Sequence, residues 1–250
     1  MTEKIDRPTL NRVRRWGYFG LYFATMVLTG LFLLTIGALL PYRLRMRIAT
    51  LWPALMSGPG LRWAAGIRVE VTGRENLPTG PCIAVCNHQS EWETLYLARL
   101  LCPASIVMKE SLLRIPVYGW GQRLTHAIGI DRSAPRVAMH AVLSKGAARL
   151  QAGSNVLIFP EGTRVAPGAL RKYARAAFQL AVQSGAPLLP MVQNSGECWR
   201  KSEFRPGTIR LHIGKPIDPQ GLQADELNRQ VEEWSRGAYG ELVAPADPGG

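Results

Sequence analysis

Acidic residues and cysteines are both scarce in this sequence. The chain has 250 residues, with 18 Asp and Glu against 30 Lys and Arg, a net charge of +12 and a pI near 10.1. This excess of positive charge predicts an anionic partner, either a nucleic acid or an anionic membrane surface. Four cysteines in so long a chain argue against a disulfide scaffold and indicate a reducing compartment. With 47% hydrophobic residues, the chain can support a packed core and is not disordered as a whole.

One long stretch without any charge decides between these two partners. Residues 17–40 form an uncharged apolar run, which as a helix of about 36 Å can cross a hydrocarbon core of about 30 Å. The run is too long for the apolar part of a signal peptide, and no A-x-A-like cleavage site follows it. We therefore predict a retained membrane anchor, with membrane lipids and no nucleic acid as partners. A buried helix of a soluble core is the alternative.

The surroundings of the anchor leave its path open. Basic residues lie on both sides, so the positive-inside rule does not give one orientation. The segment either crosses with its N-terminus inside or dips into one leaflet and returns. The next stretch, 44–67, mixes arginines with Leu and Trp and is interrupted by Pro53 and Pro59. It indicates an amphipathic segment lying on the membrane surface. A linker with one short helix is the alternative.

Beyond this stretch, short apolar runs alternate with stretches of helical spacing. The runs predict strands over 67–71, 82–86, 105–108, 127–130, 155–159, 187–192 and 208–213. The helical spacing predicts helices over 90–101, 111–125, 135–152, 171–184 and 220–239. This alternation indicates an α/β fold with its chemistry at strand ends. The tail 243–250, rich in Pro and Gly, is expected to be disordered.

The loop after the second strand contains a histidine and two acidic residues. Ser90 and Glu93 have the spacing of a helix capping box, which by itself would explain both residues. His88 lies at the strand end, where its side chain faces the opening, and Glu93 lies one turn into the helix. A carboxylate there can fold back onto one imidazole nitrogen, so that the other nitrogen can accept a proton from a hydroxyl. Capping and catalysis both remain possible for Glu93.

Two further strand ends carry charged residues. Pro and Gly make a turn after the fifth strand, and this turn also carries Glu161, Thr163 and Arg164. That is more polarity than a turn requires, and an arginine presents a planar fork suited to phosphate. The fourth strand ends in Asp131 and Arg132, for which a surface ion pair is the alternative to a function.

Four segments together resemble the four ordered blocks of the glycerolipid acyltransferases: NHQSEWE (87–93), GIDR (129–132), FPEGTR (159–164) and APLLPMV (186–192). The likeness is strongest to the 1-acyl-glycerol-3-phosphate acyltransferases of bacterial phospholipid synthesis, and it covers roughly residues 68–215. MKESLLRIPVYGW (108–120) also resembles a stretch of those enzymes. The family's first block has Asp where this chain has Glu93.

The resemblance implies a mixed central sheet flanked by helices. It divides the chain into an N-terminal anchor region over 1–67, an acyltransferase domain over 68–242 and the tail 243–250. We expect the protein at the cell inner membrane, with the catalytic domain on the cytoplasmic side. The acyl chain of a substrate would lie against the apolar N-terminal segment.

The resemblance also implies roles for individual residues. His88 is the expected general base, and Glu93 would hold its tautomer. The acceptor site would consist of Arg132, Glu161, Gly162, Thr163 and Arg164, with Lys109 as a further phosphate contact. Arg132 and Arg164 would bind the phosphate, while Glu161 takes a glycerol hydroxyl or orders the arginines.

The expected reaction transfers an acyl group from acyl-CoA or acyl-carrier protein to a lysophosphatidate and forms phosphatidic acid. Another lysophospholipid or a lyso-aminolipid is the alternative acceptor. Because a thioester is already activated, no cofactor and no metal are expected.

The same residues allow other functions, with less support from the sequence. A serine hydrolase with Ser90 as nucleophile lacks the G-x-S-x-G sequence around that serine. A zinc site formed by Cys82, Cys86 and His88 would require a strained path, so buried strand cysteines are expected instead. A lipid-binding scaffold without catalysis stays open, and substitution of His88 separates it from an enzyme.

Overall fold

A computed structural model describes residues 12–200 and 203–243 of the chain. Its strands are β1 (Ile67–Thr72), β2 (Ile83–Cys86), β3 (Ala104–Lys109), β4 (Ile128–Ile130), β5 (Asn155–Ile158), β6 (Leu188–Gln193), β7 (Trp199–Arg200), β8 (Glu203–Phe204) and β9 (Gly207–Ile213). Its helices are α1 (Arg12–Leu34), α2 (Tyr42–Ala49), α3 (Leu51–Ser57), α4 (Pro59–Ala65), α5 (Trp92–Leu100), α6 (Tyr118–Leu124), α7 (Pro135–Gln151), α8 (Ala176–Ser184) and α9 (Ala224–Val243). The predicted disordered tail lies outside the described residues, apart from its first residue.

Seven strands form one mixed sheet in the order β1-β9-β6-β2-β5-β3-β4. The pair β6–β9 is antiparallel, and all other neighbours are parallel. Strands β7 and β8 form a separate antiparallel pair. All seven predicted strands are present in the sheet, and the prediction of a mixed central sheet flanked by helices is confirmed. Because β2 to β6 run in one direction, their carboxyl ends meet at the same edge.

Both faces of the sheet are covered, which explains why its central strands are apolar without interruption. In β2, Ile83 and Val85 face the core formed with α7, α8 and α9. Ala84 and Cys86 point the other way, into the core formed with α1, α3, α4 and α5. This alternation follows from the two-residue period of a strand, and a strand buried on both faces needs apolar residues at every position.

Several helices differ from the sequence prediction. The apolar run 17–40 is α-helical only to Leu34 and continues as a 3-10 turn, Ile36–Leu39, and the helix predicted over 220–239 lies at Ala224–Val243. The predicted helix 111–125 is divided into a 3-10 turn, Glu110–Arg114, and helix α6. Pro116 explains the break, because a proline disfavours helical backbone at the residue before it. The predicted helix 171–184 begins only at Ala176. Before that point the backbone N–H groups of Arg171 and Tyr173 donate to Glu161 and Glu232 instead of to a helix.

The apolar N-terminal segment forms most of α1, which packs against α3, α4 and α6. The buried Tyr18 donates a hydrogen bond of 2.8 Å to the backbone carbonyl of Met56. Its ring also makes edge contacts with the rings of Trp199 and Phe204. By length and composition, Val13–Leu34 can cross a membrane. Its outward side is apolar as well, with Phe23 and Leu28 exposed, which is consistent with membrane association.

The stretch 44–67 is not a linker with one helix, and its place on the membrane surface stays a prediction. It forms most of α2 and all of α3 and α4. The inward sides of α3 and α4 complete the core with Trp52, Met56 and Leu61, all buried. Their outward sides are also apolar, with Leu55 and Trp63 exposed. The N-terminal region and the sheet therefore share one hydrophobic core.

Candidate active site

The carboxyl edge of the parallel strands brings most of the predicted site residues together. His88 follows β2, Lys109 ends β3, Arg132 follows β4 and Arg164 lies beyond β5. All four side chains line one cavity. Glu93 lies behind His88 and is buried. The remaining predicted residues, Glu161, Gly162 and Thr163, belong to the loop beside the cavity and not to its lining.

The imidazole of His88 is fixed by a carboxylate and an aromatic ring. Its Nδ1 lies 2.8 Å from Oε1 of Glu93. Its ring stacks on Phe159 with a centroid distance of 4.4 Å. Because the carboxylate is an acceptor, Nδ1 carries the proton and Nε2 has a free lone pair. His88 is therefore held in the tautomer that can take a proton from a hydroxyl in the cavity.

The carboxylate of Glu93 both orients the histidine and caps its own helix. Oε1 also accepts the backbone N–H groups of Gln89 and Ser90, at 2.6 and 2.8 Å. Oε2 accepts hydrogen bonds of 2.8 Å from the hydroxyls of Ser90 and Ser195. The Ser90 oxygen in turn accepts the N–H of Trp92, the first residue of α5, so Ser90 and Glu93 together hold the start of this helix in a variant of the predicted capping box. The two interpretations of Glu93 are thus compatible.

Glu93 keeps its negative charge although it is buried. Burial by itself would raise the pKa of this carboxyl, because a low dielectric disfavours the charged form. The hydrogen bonds and charge of His88, together with the donors of Ser90, outweigh burial and lower the pKa below its ordinary value. An ionised carboxylate at this place would stabilise a positive charge on the imidazole of His88.

The backbone of His88 is held by the loop that follows β5. Its N–H donates to Oε2 of Glu161 at 2.8 Å, and its carbonyl accepts the N–H of Val165 at 2.7 Å. The other oxygen of Glu161 accepts the N–H of Arg171 at 3.0 Å. Burial raises the pKa of Glu161. In the described structure, Glu161 therefore orders the backbone of two loops, and the partners of its carboxylate are not arginine side chains.

Gly162 and Thr163 of the FPEGTR segment do not line the cavity. Gly162 has a φ of 68° and donates its N–H to the carbonyl of Phe159. A side chain would be strained at this φ, so glycine is required by the turn itself. Thr163 is exposed beside the turn. Their predicted roles in acceptor binding stay predictions.

Three cations line the cavity near His88. Arg164 Nη1 lies 2.6 Å from Oε1 of Glu91, a residue that also lines the cavity. Burial lowers the pKa of Arg132, and the positive charge of Arg164 lowers it further, so the two guanidinium groups face the same space. Lys109 adds a third charge. The carboxylate of the neighbouring Asp131 accepts hydrogen bonds from the backbone N–H and the hydroxyl of Ser133.

Beyond these charges the cavity is lined by apolar side chains. Helix α1 contributes Tyr22, Met26 and Leu33, and further apolar residues come from α3, α5 and β3. The cavity thus joins a cationic part to an apolar part, with His88 among its lining residues. An amphiphile with an anionic head and a long apolar chain fits this combination.

Several residues of the site were not found from the sequence. Phe159 and Glu91 lie inside recognised motifs, but their partners are set by the fold. Ser195 follows β6 and is separated from Glu93 by 102 positions, so no local spacing indicates it. Tyr239 of α9 accepts a hydrogen bond from the Gln89 side chain at 2.8 Å and from the N–H of Gly168 at 2.9 Å. These residues support the loop of His88.

The geometry gives little support to the alternatives of a serine hydrolase and a zinc site. Ser90 is buried and its hydroxyl donates to Glu93, with its oxygen 2.7 Å from that of Ser195, so it is not presented to a substrate. Cys82 and Cys86 are free and buried, as predicted. Over residues 12–200 and 203–243, no group of three His, Cys, Asp or Glu side chains could hold a metal ion.

The fold and the site together define an α/β protein whose cavity combines cationic and apolar side chains with a histidine. Comparison with known proteins gives the particular family. The acyltransferase family model matches residues 68–194. A 1-acyl-sn-glycerol-3-phosphate acyltransferase of Pseudomonas aeruginosa is 36% identical over 239 residues, which are 94% of this chain and 93% of that protein. The protein of the same name from Saccharomyces cerevisiae is 31% identical over 67% of this chain, which spans 57% of the yeast protein.

A solved structure agrees with the sequence comparison. The crystal structure of the 1-acyl-sn-glycerophosphate (LPA) acyltransferase PlsC from Thermotoga maritima matches with a TM-score of 0.80 and 25% identity. The match covers 95% of this chain and 98% of that one. The chain therefore belongs to the acyltransferase family, and the protein is an acyltransferase. The resemblance found in the sequence motifs is confirmed.

Proposed function

We propose that this acyltransferase transfers an acyl group from a thioester to the free hydroxyl of a 1-acyl-glycerol-3-phosphate, with His88 as general base. The product is phosphatidic acid. The observation that carries this proposal is the hydrogen bond of 2.8 Å between Glu93 and Nδ1 of His88, which leaves Nε2 for a substrate hydroxyl. The names of the relatives from bacteria and yeast support the same acceptor.

The reaction needs no covalent enzyme intermediate, because the thioester is already activated. Nε2 of His88 takes the proton of the glycerol hydroxyl while the oxygen attacks the thioester carbonyl. The carbon–sulfur bond then breaks, and the proton on His88 is available to the departing thiolate. Glu93 holds the required tautomer and stabilises the imidazolium between the two proton transfers.

The three cations of the cavity bind the phosphate of the acceptor. Arg132 and Arg164 face the same space, and without a counter-charge their guanidinium groups repel each other. A phosphate between them removes this repulsion and offers oxygens to both planar forks. Lys109 contributes further charge from the end of β3. Glu161 acts by holding the loop of His88, and Arg164 exchanges Glu91 for the phosphate.

The apolar part of the cavity takes an acyl chain. Because α1 supplies Tyr22, Met26 and Leu33 to its wall, the chain lies between α1 and the sheet. Helix α1 also packs on α3, α4 and α6, with its exposed apolar residues on the other side. Because α1 stays packed on the rest of the protein, this arrangement favours a helix immersed in one leaflet over a helix that crosses the bilayer. Acceptor and product can then exchange with the membrane directly. We place the protein at the inner membrane with its active site on the cytoplasmic side.

The acceptor and the donor are tested with purified protein in detergent micelles. Labelled acyl-CoA and labelled acyl-carrier protein are each offered with 1-acyl-glycerol-3-phosphate, a lysophospholipid with a substituted phosphate, and a lyso-aminolipid without phosphate. The proposal expects the highest kcat/KM for 1-acyl-glycerol-3-phosphate. A preference for the lyso-aminolipid would contradict the assignment of Arg132 and Arg164 to phosphate.

A further inference from the structure

We propose that Ser195 is a positioning residue for the carboxylate of Glu93. Its contact depends on the length of the Glu93 side chain, which has one methylene more than an aspartate. Its hydroxyl holds Oε2 of Glu93, so that Oε1 stays on Nδ1 of His88. This inference rests on the proposed role of His88 as general base and adds a residue to it from the loop after β6.

The geometry places Ser195 behind the carboxylate, opposite the histidine. Its Oγ lies 2.8 Å from Oε2 of Glu93 and 2.7 Å from Oγ of Ser90. Ser90 Oγ is also 2.8 Å from the same carboxylate oxygen, so the three oxygens form a triangle. All three residues are buried. A carboxylate whose two oxygens are engaged by different groups cannot rotate away from the histidine without losing hydrogen bonds.

The segment that carries Ser195 is itself fixed to the loop of His88. Asn87 and Gln193 exchange hydrogen bonds in both directions: the Asn87 amide oxygen accepts the Gln193 N–H, and its amide nitrogen donates to the Gln193 carbonyl. The Gln193 side chain donates to the Asn87 carbonyl and accepts the N–H of Ser195. Ser195 is thus held at a set distance from residue 88, and its position does not depend on Glu93 alone.

The length of Glu93 determines whether this contact can form. An aspartate at position 93 would withdraw the carboxylate by about 1.5 Å, the length of one carbon–carbon bond. From a distance of 2.8 Å, such a withdrawal exceeds the reach of a hydrogen bond unless the helix moves. An aspartate can bind either His88 or the serines with a small backbone shift, but the present arrangement of both contacts requires the longer side chain. Ser195 and Glu93 are therefore expected to be coupled.

A double-mutant cycle in steady-state acyl transfer tests this coupling. The four proteins are the parent, Ser195→Ala, Glu93→Asp and the double variant, with melting temperatures measured for each. Ser195→Ala should lower kcat about tenfold in the parent, because one hydrogen bond to a charged group is lost. The KM values for acceptor and donor should change less than about twofold, because Ser195 does not line the cavity. In the Glu93→Asp background, Ser195→Ala should change kcat less than about twofold.

A matched control separates positioning from the general loss of a buried hydroxyl. Ser105 is also buried and does not line the cavity, and its hydroxyl is 3.5 Å from that of Ser154, a weaker contact. Ser105→Ala should leave kcat unchanged. If Ser195→Ala does not fold, the pair Ser195→Thr and Ser195→Val replaces it. Threonine and valine have nearly the same shape, and only Ser195→Thr, which keeps the hydroxyl, should keep the parent kcat.

The outcomes distinguish this inference from the proposed function. The coupling would be overturned if Ser195→Ala lowered kcat by the same factor in the parent and in the Glu93→Asp background. It would also be overturned if Ser195→Ala lowered kcat no more than Ser105→Ala does. In either case His88→Ala would still be inactive and the proposed function would stand. If His88→Ala keeps the parent kcat, the proposed function with His88 as general base fails, and Glu93 and Ser195 then have no catalytic base to orient.

Discussion

Glu93 binds His88 and caps its own helix with the same carboxylate oxygen. Oε1 accepts hydrogen bonds from Nδ1 of His88 and from the backbone N–H groups of Gln89 and Ser90. The helix start thereby fixes where the carboxylate lies, and the carboxylate fixes the orientation of the imidazole. Capping the helix and orienting His88 depend on the same carboxylate. A substitution that removes only its charge tells the two roles apart, because capping does not need the charge and stabilising an imidazolium does.

Glu93→Gln should abolish most of the activity and leave a folded protein. Glutamine also serves in a capping box, but it removes the charge that stabilises the imidazolium. We expect kcat to fall by about 10²–10⁴. Glu93→Asp should keep part of the activity, because the charge remains while the reach is shorter. Circular dichroism and kcat are measured on the same preparations. Parent-like turnover of a well-folded Glu93→Gln protein would remove Glu93 from the catalytic site.

The stability of the protein should fall in acid in part because of Glu93. The pKa of this carboxyl in the folded protein lies below its ordinary value of 4.5, so around that pH the unfolded chain binds more protons than the folded one. The stability it contributes is therefore present above about pH 4.5 and is lost as the pH falls through the lowered pKa.

Denaturant unfolding of the parent and of Glu93→Gln at several pH values measures this effect. The difference in the free energy of unfolding between the two proteins should be largest near pH 7 and should shrink below about pH 4. A difference that stays constant down to acid pH would contradict a lowered pKa for Glu93.

Arg164→Ala should mainly weaken binding of the phosphate-bearing acceptor. Arg164 lines the cavity and pairs with Glu91, so its loss removes a cation from the acceptor side. We expect a higher KM for the acceptor, with little change in the KM for the thioester. Arg164→Lys should rescue only in part, because an ammonium cannot make two parallel hydrogen bonds. Arg136→Ala, which removes an exposed arginine on α7, is the matched control. A rise in the donor KM alone would assign Arg164 to the donor.

The protein should remain with membranes after washes with high salt and with carbonate. The expected cause is the exposed apolar side of α1, which includes Leu21 and Leu28. Changing both leucines to serine should shift protein to the soluble fraction while leaving the inward packing of Tyr18 unchanged. Fractionation followed by immunoblotting checks the distribution. Full release of the parent protein by the washes would contradict the anchor.

The sequence predicts most of the sheet because its signals are local. The strands are short apolar runs between polar loops, and strand ends of one direction collect their loops at one edge. The sequence can propose His88, Glu93, Arg132 and Arg164 as site residues because each lies in a motif at such an end. Helix 111–125 was misjudged because Pro116 divides a stretch whose apolar spacing is otherwise helical.

What the sequence could not show depends on contacts between distant segments. The hydroxyl of Ser195 reaches Glu93 only because β6 lies beside β2 in the sheet. The carboxylate of Glu161 orders backbone N–H groups of His88 and Arg171, which no residue pattern encodes. The packing of α1 against Met56 and the cavity is likewise a property of the folded chain, since an apolar helix by itself indicates only a membrane or a core.

The central claim is that His88 takes the proton of the acceptor hydroxyl, and the most direct test is the turnover of His88→Ala with labelled acyl-CoA and 1-acyl-glycerol-3-phosphate. His140→Ala, which changes an exposed histidine on α7, is the control and should keep the parent rate. Loss of the general base should lower kcat of His88→Ala by about 10²–10⁴ without unfolding the protein. Turnover of folded His88→Ala within about threefold of the parent, well above background, would contradict the account.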